Sequence, residues 1–322
     1  MGNLNTVIDF EYQIAANDYK LVQKVKDPRL GELFQMRNTK TGHIIFRKEK
    51  RLPDVNTYET KIEEFVQQQP IKHRNLLRVY GFAGADSHEM FKNQYKIFVY
   101  FELLQDTLRD TVSRRKVPLT QRSTSNKKSG NFYTEIELIS IMKQLVDVLE
   151  YLQGNGIIHG DIRPETCFIS KEGLLKVLNR SLLCSETSIF NSAKRGDRTS
   201  FLSPMMFEAI KRKQEEPIED KYKADVWSLG LTLLECATLK PSTQIYDWNN
   251  CSINLNMLSS RLLELKERYS PEFFKVVREM ISLQEEQRPD FIRLKEILSS
   301  EEKLGSNQVI TVITTLHEFF ND

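Results

Sequence analysis

Cysteine and histidine are the side chains that most readily hold a metal or act as nucleophiles, and this chain spaces them poorly for either. Its four cysteines, Cys167, Cys184, Cys236 and Cys251, form no C-x-x-C pair, and there are only five histidines. That spacing predicts no zinc site. A different chemistry is written at the start. Met1-Gly2-Asn3-Leu4-Asn5-Thr6 fits the M-G-x-x-x-S/T pattern that directs an acyl chain to Gly2. The alternative is an ordinary N-terminus. One acyl chain holds a protein to a membrane only marginally, so a second signal is needed. Residues 113–132 could supply it, with Arg114, Arg115, Lys116, Arg122, Lys127 and Lys128 and no acidic residue. By composition this run is a solvated loop; by charge it is a docking surface for an acidic partner such as lipid headgroups, an acidic tail or a filament.

The elements that must position any chemistry follow from the rest of the chain. The 322 residues suffice for two lobes with separate cores. The net charge of +2 excludes a strongly basic nucleic-acid binder, and no nucleic acid is expected. No stretch reaches the roughly 18 apolar residues of a membrane span, and the N-terminus lacks the basic and apolar regions of a secretory signal. Few cysteines suggest a reducing compartment, so a cytoplasmic protein is expected, with membrane or cytoskeletal association through Gly2 or the basic run.

After an N-terminal segment, 1–18, residues 19–52 read as strands broken by turns at Asp27-Pro28 and Thr41-Gly42. Residues 55–69 read as a helix that Pro70 ends, and short strands follow at 76–82 and 95–101. The character then changes. Thr134 with Glu137 is a capping box, and Leu138, Ile141, Met142, Leu145, Leu149 and Leu152 recur at helical spacing. Further helices are expected at 221–239, 257–267, 271–282 and 291–299. The tail 300–322 carries Val309, Ile310, Val312, Ile313, Leu316, Phe319 and Phe320 at helical spacing. Packing onto the preceding lobe is expected of it; a docking helix is the alternative.

The stretch Ile157-Ile-His-Gly-Asp-Ile-Arg-Pro-Glu-Thr-Cys-Phe-Ile169 resembles the catalytic loop of protein kinases. His159, Gly160, Asp161, Arg163 and Thr166 stand at the family's motif positions. Other landmarks follow in order. His73-Arg-Asn75 resembles the turn after helix C, and Phe101-Glu102-Leu103 resembles the hinge. Phe201-Leu-Ser-Pro204 resembles the end of the activation segment. Asp225-Val-Trp-Ser-Leu-Gly230 resembles the buried helix beneath the catalytic loop, and Arg288-Pro289 resembles the late pair that ties down the second lobe. The resemblance covers about residues 19–299. It implies an α+β, bilobal fold, with a strand-rich lobe at 19–103 and a helical lobe at 104–299.

It also implies an ATP site, and the residues there depart from the pattern. Where the phosphate-covering loop has three glycines this chain has Lys26, Pro28 and Gly31, so a plain hairpin is expected. Lys48 keeps the phosphate-pairing position, with Glu64 or Glu63 as its implied partner. Phe46 replaces the small residue over the adenine, and Phe168 stands on the pocket floor. Two rings of that size can fill a flat cleft. Both implied magnesium ligands are altered, one to Thr166 and one to Asn179, whose amide is a weak substitute for a carboxylate. Arg180 stands for an aromatic, which disfavours the active shape. Asp161 remains at the base position, where it can serve a substrate hydroxyl or merely order its own loop. Asp225, Trp227 and Arg288 are expected to be structural, with Glu208 a candidate partner for Arg288 because Met205 replaces the usual acid. The expectation is a pseudokinase without ATP or magnesium, acting as a scaffold or allosteric part of a larger assembly. A weakly active kinase and an acylated, membrane-tethered adaptor are the alternatives.

Overall fold

A computed structural model describes residues 6–9, 18–27, 30–68, 70–89, 92–103, 106–116, 132–170, 173–178 and 188–301. The chain divides into two compact units, one within residues 1–104 and 178–185, the other within 105–177 and 186–322. The first is strand-rich and the second helical, which is the α+β organisation expected.

The first unit is a six-stranded antiparallel sheet in the order β1-β5-β6-β4-β3-β2. The strands are β1 (Thr6–Asp9), β2 (Tyr19–Asp27), β3 (Gly31–Asn38), β4 (Ile44–Leu52), β5 (Val79–Glu89) and β6 (Lys92–Phe101). Helix α1 (Val55–Gln68) starts where the Asp54 carboxylate accepts the Thr57 backbone N–H at 2.8 Å. It buries Phe65, which stacks on Phe82 with ring centroids 4.7 Å apart. Two strands are longer than the sequence patterns indicated. Apolar alternation fades in Ala85–Glu89 and Lys92–Gln94, but the hairpin ladder continues through them, His88 opposite Asn93 and Glu89 opposite Lys92. The segment 1–18 also contributes a strand: Thr6–Asp9 pairs with Gly84–Gly81. Four residues are too few for a period to show.

The second unit is built on α3 (Glu135–Gly154) and α6 (Lys221–Thr238), with α2 (Leu108–Lys116), α4 (Ile189–Lys194), α5 (Pro204–Lys211), α7 (Leu255–Arg268), α8 (Pro271–Met280) and α9 (Phe291–Glu301) around them. The short strands β7 (Cys167–Ile169) and β8 (Leu175–Val177) form a hairpin of their own. Thr134 caps α3 by the expected reciprocal box, its hydroxyl accepting the Glu137 N–H while Glu137 accepts the Thr134 N–H at 2.6 Å. Ser203 and Ser270 cap α5 and α8, each followed by a proline in the first turn, where no N–H is missed. Helix α6 is buried almost throughout.

The basic run needs correction. Its first four residues, Ser113 to Lys116, are the last turn of α2 and not a loop. Arg115 is buried, 2.5 Å from the Glu137 carboxylate, with its guanidinium 3.9 Å from the Tyr133 ring centre. It also donates to the Phe132 carbonyl at 3.1 Å. Arg115 therefore supports the core. Arg114 is half-exposed and pairs with Asp106 at 2.8 Å. Residues 117–131, Gly2 and the tail 302–322 lie outside the described residues.

Candidate functional site

In the first unit, β2 and β3 meet at a turn where Asp27 stands opposite Gly31. The Asp27 carboxylate accepts the Leu30 N–H at 3.0 Å, and Gly31 takes φ +77°. Lys26 lies in the ladder opposite Glu32; Pro28 lies outside the described residues. Phe46 and Lys48 lie two apart on β4 and so share a face. Phe46 is directly opposite Phe101, their centroids 5.9 Å apart; Phe46 is buried and Phe101 is fully so. Lys48 lies opposite Val99 and Leu33. The Glu64 carboxylate holds Lys61 of its own helix. At the hinge position Glu102 is tied back to Arg78, its side chain accepting the Arg78 N–H at 2.7 Å.

In the second unit the 157–169 segment is held from below by α6. The Asp225 carboxylate is buried and accepts the backbone N–H groups of His159 at 2.9 Å and Gly160 at 3.0 Å. Gly160 adopts φ +74°, and its carbonyl accepts the Ile189 N–H of α4 at 2.9 Å. His159 is buried, and its Nδ1 accepts the Asp161 N–H at 3.3 Å. Asp161 is 1% exposed. The Arg163 guanidinium covers its carboxylate, with Nε 2.8 Å from Oδ1 as an ion contact and Nη2 donating to Oδ2 at 3.4 Å. The Thr166 hydroxyl donates to the Asp161 carbonyl at 2.6 Å and accepts the Arg163 N–H at 3.2 Å. Phe168 is buried in β7 and bridges to Thr107. Arg109 of α2 binds this loop too, donating its N–H to Pro164 and its side chain to Glu165 at 2.7 Å and to the buried Glu235.

Trp227 and Ser228, in the same turn of α6, supply further anchors. Trp227 is fully buried and donates to the Tyr246 hydroxyl, which donates to the Leu202 carbonyl at 2.6 Å. Ser228 donates to the Phe201 carbonyl at 2.7 Å, where φ is +74°. One turn of α6 thus fixes both the 159–160 backbone and the 201–202 backbone.

Residues 19–301 match the model of the protein kinase domain. The chain belongs to the protein kinase family. Among its relatives are Wee1-like protein kinase 1-B of Xenopus laevis, 23% identical over 309 residues, covering 91% of this chain and 48% of the relative. Serine/threonine-protein kinase Nek10 of Mus musculus is 22% identical, covering 89% and 23%. Dual specificity mitogen-activated protein kinase kinase 7 of Rattus norvegicus is 22% identical, covering 88% and 63%. The chain spans about half the length, or less, of several of the relatives it matches.

One partner in that frame differs from the sequence expectation. Arg288 is not held by Glu208, which pairs with Arg212 one turn along its own helix at 2.8 Å. Its carboxylate partner is Glu219, 3.8 Å away, and both side chains are fully buried. Arg288 also donates to the Lys223 carbonyl at 2.9 Å. Glu219 accepts the Ser203 hydroxyl at 2.5 Å, so it links the end of the activation segment to the 288 region. Burial pushes its carboxyl up to about 7, against the lowering effect of Ser203 and Arg288. Arg288 is lowered by the same desolvation. No spacing rule in the sequence distinguishes Glu219 from its acidic neighbours. Asn179 and Arg180 lie outside the described residues. Among the described residues no cluster of acids, histidines and cysteines could hold a metal, the cysteines 167, 236 and 251 are free, and no helix is long and apolar enough to cross a membrane.

Proposed function

We propose that this kinase-family chain is a pseudokinase, working as a scaffold or allosteric component and not by phosphoryl transfer. The observation that supports this reading is the internal closure of the 159–166 loop. Phosphoryl transfer relies on metal ions and on a base that reaches a substrate hydroxyl. Here the group at the metal-ligand position is the Thr166 hydroxyl, already engaged by its own loop. Asn179 in place of the second ligand and Phe46 over the adenine position act in the same direction.

The test is a thermal shift with millimolar ATP and magnesium. No rise in melting temperature is expected. A ligand at 100 times its dissociation constant would add about 2.7 kcal/mol, which is easily seen. A clear rise that Phe46→Ala leaves unchanged would count against the reading.

A second reading, a weakly active kinase, is favoured by the retention of Lys48 and Asp161 and by relatives whose names are those of kinases. Transfer of labelled phosphate that Asp161→Asn abolishes would establish it. Partner contact belongs to the same proposal: the basic residues after α2 meet an acidic surface, and an acyl chain on Gly2 adds membrane contact. Such contact weakens as salt rises.

A further inference from the structure

Strand β2 is one edge of the first unit's sheet, and among the described residues no strand pairs with its outer side. It runs from Tyr19 to Asp27, and Lys20, Leu21, Val22, Gln23 and Lys24 are all exposed. Leu21 and Val22, both apolar, are 51% and 46% exposed. Such an edge offers a row of backbone N–H and C=O groups on which another extended segment can pair.

The charges on this edge are not balanced within the sheet. Lys20 stands directly opposite Arg37 of β3. Like charges in opposite positions weaken a ladder. The nearby acids are engaged elsewhere. Asp18 pairs with Lys40 at 3.0 Å, Asp27 accepts the Leu30 N–H at 3.0 Å, and Glu32 lies 3.6 Å from Lys24. The side chains of Lys20, Lys26 and Arg37 have no ion pair or hydrogen bond among the described residues. Breaches of such local rules in natural folds are expected where a surface is used.

The register fixes which way each group faces. Lys24 is opposite Phe34, with its ammonium 5.1 Å from that ring centre, and Lys26 is opposite Glu32. Leu21 is opposite Met36, on the face of Phe34, because the bulge between Leu21 and Gln23 leaves Val22 over. Lys20, Gln23 and Val25 therefore share the other face. A strand laid along β2 meets cations on both faces. A second copy of this chain does not answer them. Pairing antiparallel about Gln23 would set Lys20 opposite Lys26 of the other copy.

We propose that the outer edge of β2 is a docking site for an extended acidic segment of a partner protein, which adds to the sheet as a further strand. Its carboxylates sit opposite Lys20, Lys24 and Lys26, and its apolar side chains sit opposite Leu21 and Val25. The same lysines keep two copies of the chain from pairing there. The inference is independent of whether the chain transfers phosphate.

The experiment uses the full chain and a fluorescein-labelled peptide, Glu-Val-Glu-Thr-Val-Glu, which matches the positions from Lys26 back to Lys20 in an antiparallel pairing. Fluorescence anisotropy should show binding at about millimolar peptide or below. The peptide Lys-Val-Lys-Thr-Val-Lys should not bind. N-methylation at alternate residues of the acidic peptide should abolish binding for one set of positions and spare it for the other, because only one set of N–H groups faces β2. Replacing Lys20, Lys24 and Lys26 together by Gln should weaken binding by about tenfold or more. The melting temperature should not change, since the three side chains are exposed. No binding of the acidic peptide, equal effects of the two N-methylated sets, or full affinity in the triple variant would each overturn the proposal. So would a dimer in sedimentation equilibrium that Val22→Lys dissociates, which would make a second copy the occupant.

Discussion

Asp225 and Gly160 meet through the Gly160 backbone N–H, which lies 3.0 Å from both oxygens of the buried carboxylate. The neighbouring His159 N–H completes the arrangement at 2.9 Å. Two buried donors thus depend on one side chain. Asp225→Ala leaves both without an acceptor, at about 1–3 kcal/mol for each. Asp161→Ala should cost less, because Arg163 is 30% exposed and can turn to water. Urea unfolding midpoints of the two variants check the order. A larger loss from Asp161→Ala would show that the Arg163 contact, and not Asp225, carries the loop.

Gly230 closes the same helix motif, and its role is packing. A Cβ there would lie 2.5 Å from Cγ2 of Ile281 and 2.9 Å from Cβ of Met280. Neither can move freely, since Met280 is fully buried and Ile281 nearly so. Gly230→Ala should therefore destabilise by about 1–3 kcal/mol, the usual cost of overpacking a core. Alanine is otherwise the better helix former by about 1 kcal/mol, so a stabilised variant would mean that α6 and the 280–281 turn separate easily.

What could be read in the sequence was what acts locally. Thr134 and Glu137 are three residues apart, so their capping box is visible as a pattern. Asp225, Trp227, Ser228 and Gly230 share one helix, and their order carries their roles. The partner of Arg288 was not legible, because Glu219 and Glu208 are alike in sequence and only the tertiary path of the 212–220 loop separates them. Arg115 was hidden for another reason. It stands in a run whose composition reads as solvated, while its partner Glu137 lies beyond the whole insert. Strand β1 is four residues long and acquires its identity only by pairing with β5.

Arg115 and Glu137 form a buried pair, with side-chain exposures of 5% and 11%. Removing one partner leaves a buried charge uncompensated, at about 3–5 kcal/mol. Arg115→Gln should thus unfold the protein at markedly lower urea. Replacing Arg114, Lys116, Arg122, Lys127 and Lys128 together, with Arg115 kept, should leave the midpoint nearly unchanged. If Arg115→Gln is equally silent, the pair is solvated in solution and the α2–α3 contact rests on apolar packing alone.

Glu219 makes stability depend on pH in a stated direction. Burial raises its carboxyl from 4.5 to about 7 in the folded state, with Glu285 and Asp220 also raising it and Ser203 and Arg288 lowering it. The native protein therefore holds a proton that the unfolded chain gives up between pH 4.5 and about 7. Stability from this group is fully present below the lower value and falls as pH rises through the upper one. Above that it stays level. Glu219→Gln keeps the shape and has no proton to lose. The stability of the wild type relative to this variant should decline from pH 4.5 to 7 and then flatten. Chemical unfolding at half-unit steps measures it. Parallel curves across that window would mean that Glu219 stays ionised, and that Arg288 compensates its burial fully in spite of the 3.8 Å separation.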